Sequence, residues 1–313
     1  MKLLNEILGT TWPLIQGGMA NISTGAFAAA CSNAGALGVI GSGGMDAARL
    51  EEEIAAARRA TDRPFGVNLM LMNPDTENMA DLVARERIPV VTTGAGSPGK
   101  YIGKWKDAGI LVMPVSASVL LAKRMIREGA DAIIAEGCES GGHVGEMTTM
   151  TLVPQMADAV DVPVIAAGGI ADGRQLAAAF ALGACGAQIG TCLLVSQECP
   201  VHENYKKAIL AAKDNSTVVT GRSAGAPVRV IKNRMARQYI RREQAGADRM
   251  ELEKYTLGSL RRAVFDGDTQ SGSLMAGQDC GQLSQIRPAE EIFREMTQQA
   301  EQVMRSLADW RPV

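Results

Sequence analysis

Glu136-Gly137-Cys138-Glu139-Ser140-Gly141-Gly142-His143-Val144-Gly145 sets one of only two histidines in the chain among four glycines. The segment follows an apolar run, Ala132 to Ala135, that reads as a buried strand. Glycines let a backbone approach a flat or phosphorylated ligand closely. An imidazole takes up and releases protons near neutral pH. A strand that empties into such a loop has the makings of a site for proton chemistry on a bound ligand. His143 with Glu146 is too few ligands for a metal centre, and His202, in Cys199-Pro200-Val201-His202-Glu203, reads as structural or peripheral.

Two later segments supply a second kind of chemistry. Val164-Ile165-Ala166-Ala167-Gly168-Gly169 and Gly186-Ala187-Gln188-Ile189-Gly190-Thr191 are apolar runs ending in glycine turns. Backbone N–H groups at glycine turns and helix starts hold phosphate.

Such residues need a scaffold that brings strand ends together. Apolar, β-branched runs recur at Pro13–Gln16, Gly38–Gly41, Phe65–Met70, Pro89–Thr93, Ile110–Val115, Ala132–Glu136, Val162–Ala167 and Ala187–Gly190. Helical patterns lie between them: Asp46 to Ala60 opens on a capping residue and closes on Arg58 and Arg59. Ser118 to Glu128 stops at Gly129, and Asp172 to Leu182 stops at Gly183. Eight strand–helix alternations predict an α/β fold, a TIM (β/α)8 barrel; an open doubly wound sheet is the alternative. In a barrel, sites lie at the C-terminal strand ends, with phosphate often held after the seventh and eighth strands. The two glycine turns fall at those positions. Gln16-Gly17-Gly18-Met19 ends the first strand, and Asn68 and Gln188 interrupt the third and eighth with amides suited to a heterocycle.

Composition bounds the alternatives. The chain has 313 residues, 46 % hydrophobic but 4 % aromatic, as alanine-rich helices over parallel strands require. A net charge of −2 offers no general attraction for nucleic acid. No apolar stretch is long enough to span a membrane and no secretory signal is visible, so a cytoplasmic location is expected. Six cysteines without a Cys-x-x-Cys pair do not read as zinc ligands; most read as reduced, buried residues. Gly94-Ala95-Gly96-Ser97-Pro98-Gly99 fits a dinucleotide fingerprint, but the next strand ends in Val115-Ser116 with no acid for a ribose. Gly221-Arg222-Ser223-Ala224-Gly225 fits a nucleophile elbow, but both histidines precede it.

The strand–helix rhythm breaks from Ser196 to Arg287. The expected division is residues 1–195 plus 288–313 as the barrel and 196–287 as a smaller C-terminal domain covering its mouth. Gly221 to Arg262 holds eleven basic and four acidic residues, with Arg234, Arg237 and Arg241 on one helical face. A final helix, Ala289 to Leu307, carries Ile292, Met296, Val303 and Leu307 toward one side.

Taken together the chain resembles the FMN-dependent enoyl-acyl-carrier-protein reductases of the FabK type, within the nitronate monooxygenase-like flavoproteins. The resemblance runs nearly end to end, through Pro13-Leu14-Ile15-Gln16-Gly17-Gly18-Met19, Pro64-Phe65-Gly66-Val67-Asn68, Val90 to Gly96, Ala135-Glu136-Gly137 and Gly141-Gly142-His143. It continues through Ala166 to Gly173 and closes on Gly272 to Gln278. Met275-Ala276-Gly277-Gln278 and Thr148-Thr149-Met150-Thr151 look specific to the reductase branch; Ser140 stands where many relatives carry alanine.

The resemblance implies bound FMN, with NADH or NADPH as a transient co-substrate. Gly168, Gly169, Gly190 and Thr191 would hold the phosphate, and Ala167 would also contact the cofactor. Gly18, Met19, Asn68, Glu136, Gly141, Gly142 and Gln188 would surround the flavin, Met275 and Gln278 would reach over it, and His143 would act at its reactive face. It further implies an acidic acyl carrier protein as partner, for which the basic stretch is a candidate dock, and a homodimer. The nearest rival is a nitronate monooxygenase, in which the histidine would be a base; a non-catalytic flavin-binding protein is the more distant one.

Overall fold

The computed structural model describes residues 2–308. Residue 1 and residues 309–313, which the expected barrel ranges include, lie outside them. Eight strands form one parallel sheet: β1 (Leu14–Gln16), β2 (Gly38–Gly41), β3 (Phe65–Met70), β4 (Val90–Gly94), β5 (Leu111–Ser116), β6 (Ile133–Glu136), β8 (Val164–Ala167) and β9 (Gly186–Ile189). A two-residue strand, β7 (Gly142–His143), intervenes in chain order. The sheet runs β1-β9-β8-β6-β5-β4-β3-β2. It closes because Ile15 bridges Leu37: Gln16 N donates to Leu37 O and Leu37 N to Leu14 O, both at 2.9 Å. The closed barrel, not the open sheet, is therefore the fold.

Strand parity explains what fills it. Successive strand residues point to opposite faces. Ile15, Val39, Val90, Met113, Ile134 and Ile165 form the inner cluster. Their neighbours pack outward beneath the helices, Ile133, Ala135, Val164 and Ala166 on one side and Ile40, Val67, Val91 and Val112 on the other. Both faces being buried, the strands are apolar almost throughout. Five of the six free cysteines are buried among these layers, and Cys138 is half-buried.

The helix signals hold. Asp46 accepts from Arg49 N (2.8 Å) to start α3 (Ala47–Ala60), and Ser118 accepts from Leu121 N (3.3 Å) to start α6 (Val119–Arg127). Asp172 and Gln175 form a capping box on α8 (Gly173–Ala181). Gly129 and Gly183 take φ of 111° and 97°, the left-handed region read as helix stops.

After β9 and a short 3-10 helix, Thr191–Val195, the chain leaves the barrel. It forms α9 (Glu203–Leu210), β10 (Thr217–Thr220), β11 (Val228–Ile231), α10 (Arg234–Gln244), α11 (Arg249–Thr256) and α12 (Ser259–Phe265). It then returns to α13 (Ala289–Ala308), which packs on α8 and also touches α2 (Gly25–Asn33), in the place of the eighth barrel helix. Ile292, Phe293, Met296 and Ala300 make that contact. Leu307, expected on the same side, is 63 % exposed, because the helix outruns the surface it packs on. The excursion's sheet, ordered β10-β11-β7, takes its third strand from the glycine–histidine loop. Among the described residues no helix is long and apolar enough to cross a membrane.

Candidate active site at the barrel mouth

Parity turns four polar side chains into the top of the barrel. Val67 and Leu69, Val91, Ala135, and Ala187 and Ile189 pack outward, so Asn68, Thr92, Glu136 and Gln188 point inward. Asn68 Nδ2 donates to Thr92 Oγ1 (2.9 Å), so half of the amide is satisfied within the protein. Gln188 keeps a buried Oε1 with no partner, which is costly unless a ligand donates to it. Gly17 and Gly18 lie flush against this layer. A Cβ on Gly17 would stand 3.3 Å from the Gln188 side chain, and one on Gly18 would collide with Asn68. Met19 leans across: its Sδ is 3.7 Å from where a Gly190 Cβ would be. Glu136 is half-buried with no cationic partner among the described residues, and burial raises its carboxyl to about 7.

A row of free donors lies beside this layer. Gly168 and Gly169 follow the buried Ala167 with φ of 95° and 71°. Among the described residues, the backbone N–H groups of Gly168, Gly169, Gly190 and Thr191 meet no acceptor. Orphan N–H groups at adjacent turns form an anion cradle. Thr191 Oγ1 accepts from Gly277 N (2.9 Å), which ties the returning segment to the cradle's edge.

The histidine loop closes the third side. β7 pairs antiparallel with β11, Val228 opposite His143 and Arg229 opposite Gly142. Gly142 has φ 78° and lies against Met275, whose Sδ would be 3.5 Å from a Cβ there. Gly141 lies on the Ala276 backbone, where a Cβ would come within 2.7 Å. His143 is exposed, yet the surrounding walls displace enough water to lower its imidazole pKa. Gln278 is exposed, and its backbone N–H donates to Glu139 O (2.9 Å).

Two residues that organise this loop, Glu139 and Arg229, have no role assigned from sequence. Glu139 accepts from Thr149 N (2.9 Å to each oxygen) and Thr149 Oγ1 (2.9 Å) at the start of α7 (Thr149–Ala159). Arg229, 6 % exposed, donates to Cys138 O through Nε and Nη2 (3.0 and 2.8 Å). No local pattern distinguishes them, because their partners are remote in the chain.

The model of the family described as nitronate monooxygenase matches residues 1–86 and 77–299. The chain belongs to that family. Its curated relatives include a probable nitronate monooxygenase of Staphylococcus aureus, 32 % identical over 96 % of this chain and 98 % of the relative. Another is a (3aS,4S,5R,7aS)-5-hydroxy-7a-methyl-1-oxo-octahydro-1H-indene-4-carboxyl-CoA dehydrogenase of Rhodococcus jostii, 40 % identical over 73 % of this chain and 65 % of the relative. Among solved structures, FabK from Thermotoga maritima superposes with a TM-score of 0.96 at 45 % identity, covering 98 % of this chain and 99 % of that one. The resemblance read from the motifs is thus borne out.

Against this family background the basic stretch reads differently in three dimensions. Arg229 is interior. Arg222 pairs with Glu146, Arg242 with Glu251 (3.1 Å) and Arg249 with Glu253 (2.6 Å). Arg234, Arg237 and Arg241 remain exposed on α10. The rejected elbow motif is the loop between β10 and β11, with Ser223 Oγ donating to Glu243 (2.7 Å). His202 Nδ1 accepts from Asn204 N (3.0 Å), a capping role outside the mouth.

Proposed function

We propose that this chain is an FMN-dependent reductase of trans-2-enoyl thioesters carried on acyl carrier protein, using NADH or NADPH, in bacterial type II fatty acid biosynthesis. The observation that carries the reading is end-to-end similarity to a FabK structure together with a mouth whose unmet polar groups suit a flavin phosphate and ring. The carboxyl-CoA dehydrogenase among the relatives supports a thioester substrate.

The residues fit FMN on structural grounds. Gly168, Gly169, Gly190 and Thr191 would hold the phosphate through their free N–H groups, with Ala167 ending the strand beneath them. Gly18, Met19, Asn68, Glu136, Gly141, Gly142 and Gln188 would line the ring and ribityl chain, with Gln188 Oε1 gaining its missing donor. Met275 and Gln278 would close over them from the returning segment. Bound FMN would accept hydride from the nicotinamide and deliver it to the enoyl β-carbon.

The chain's own part is to orient the thioester and handle a proton. With its pKa lowered, His143 is chiefly neutral at pH 7 and keeps one N–H to donate. That N–H would stabilise negative charge developing at the thioester oxygen, and the exposed ring can relay a solvent proton toward Cα.

A second reading, nitronate oxidation with oxygen as acceptor, is favoured by the family's description and by the same lowered imidazole pKa, which suits a base. The test is anaerobic: reduce the holoprotein with NADH, add a crotonoyl thioester and follow the oxidised flavin band. Prompt return of the band supports the enoyl reductase. No return until air is admitted selects the oxygen-using reading.

A further inference from the structure

We propose that the exposed face of α6, and not α10, receives the acidic acyl carrier protein that delivers the substrate; this rests on the carrier-thioester reading above. The exposed residues of α6 are Leu120, Lys123, Arg124 and Arg127, spaced i, i+3, i+4 and i+7, and so share one face. Leu120 is 80 % exposed, and Met150, at the start of the adjacent α7, is 66 % exposed. Scattered apolar side chains need no explanation, but Leu120 stands at the head of a basic stripe. A groove of about 340 Å3 runs beside Leu120, lined by Ser118, Leu121, Arg124 and Arg127.

Charge identifies the occupant. Glu128 pairs with Arg124 (2.9 Å), whereas Lys123 and Arg127 meet no carboxylate among the described residues. A second copy of this chain would bring the same positive stripe to a symmetric contact and be repelled. A partner offering carboxylates around an apolar side chain is attracted and held in register.

Position selects this face over α10. Ser118 follows the end of β5 at the mouth, and its neighbour Ala117 touches the histidine loop, with a Cβ on Gly145 falling 2.5 Å from Ala117 Cβ. Gly145 is two residues from His143. By contrast α10 packs on β10, the strand of the small sheet farthest from His143. A carrier seated on α6 needs only a short flexible arm to place its thioester.

The test uses holoenzyme, crotonoyl-carrier protein, crotonoyl-CoA and fluorescently labelled carrier protein. Lys123→Glu with Arg127→Glu should lower kcat/KM on the carrier substrate by about tenfold or more and leave crotonoyl-CoA within about twofold, as expected for charges at an interface rim. The milder Lys123→Ala with Arg127→Ala should shift both in the same pattern, by less. Arg237→Glu with Arg241→Glu should leave both substrates unchanged. Selective loss in the α10 variant alone, equal loss on both substrates in the α6 variants, or a changed oligomeric state with unchanged carrier kinetics would each overturn the assignment. Anisotropy of the labelled carrier reads the surface without turnover. If the wild type binds carrier, the α6 variants do not, and no enoyl thioester is reduced, the reaction reading fails while the surface stands. If the wild type binds no carrier, the surface fails.

Discussion

The guanidinium of Arg229, buried behind β11, donates two hydrogen bonds to the carbonyl oxygen of Cys138. The chain between Cys138 and β7 is thereby anchored at both ends: at one by this bidentate contact, at the other by pairing of Gly142 and His143 with β11. His143 is thus held by a residue 86 positions later in the chain, whose side chain serves the loop's backbone.

Replacing Arg229 should therefore loosen the histidine loop. Arg229→Met removes a buried charge and its three side-chain hydrogen bonds, two to Cys138 O and one to Thr217 Oγ1 (3.1 Å), a loss on the order of 2 kcal/mol in folding stability. Turnover should fall more than stability implies, since small misplacements of a catalytic group are costly. Urea melts of the flavin-free protein and kcat measured below the melting range would check this. Unchanged kcat would mean that β7 pairing alone holds His143.

The glycines should divide by what surrounds them. Gly168→Ala forces a side chain onto φ 95° and 2.9 Å from Gly137 O. Gly141→Ala drives one into the Ala276 backbone. Both should purify with little flavin. Gly94→Ala, with nothing within 4 Å of the added Cβ, should purify yellow. The ratio of flavin to protein absorbance reads all three.

His143 should show its role in pH dependence. A lowered pKa means that the neutral ring prevails above about 6.5, the ordinary value. If neutral His143 donates to the thioester oxygen, kcat should rise with pH and level off below or near that value. His143→Asn, which keeps an N–H, should retain more activity than His143→Ala. Equal loss in both, on a thioester substrate, would assign the ring to proton transfer instead.

Glu136 and Asp279 should make the flavin-free protein lose stability as pH rises. Burial holds their folded carboxyls at about 7 and about 6, above the ordinary values of about 4.3 and 3.9. Between those limits the folded state binds more protons than the unfolded state, so unfolding free energy falls with rising pH. The contribution is complete below about pH 4 and lost through pH 7. Glu136→Gln should flatten the decline and stabilise the apoprotein at pH 8 by on the order of 1–3 kcal/mol. Denaturation curves at pH 5 and pH 8 would measure it. A parallel decline in wild type and variant would show that Glu136 ionises normally.

Much of this was legible in the order of residues. Apolar periodicity and the capping signals at Asp46, Ser118, Asp172, Gly129 and Gly183 are local, so each strand and helix near the barrel could be read from its own neighbourhood. Because barrel geometry assigns function to strand ends, the glycine turns at Gly168 and Gly190 and the amides Asn68 and Gln188 could be named from strand position alone. Tertiary structure decided the rest. Closure through Ile15 and Leu37, the Glu139–Thr149 latch, the Arg229 clamp and the pairing of β7 with β11 join segments whose meeting no local pattern encodes. The same holds for charge: of the eleven basic residues counted along the chain, one became a buried clamp, three entered surface ion pairs and three form a short arginine face, because a charge acts through its distance to other charges and to water, which only the folded chain sets.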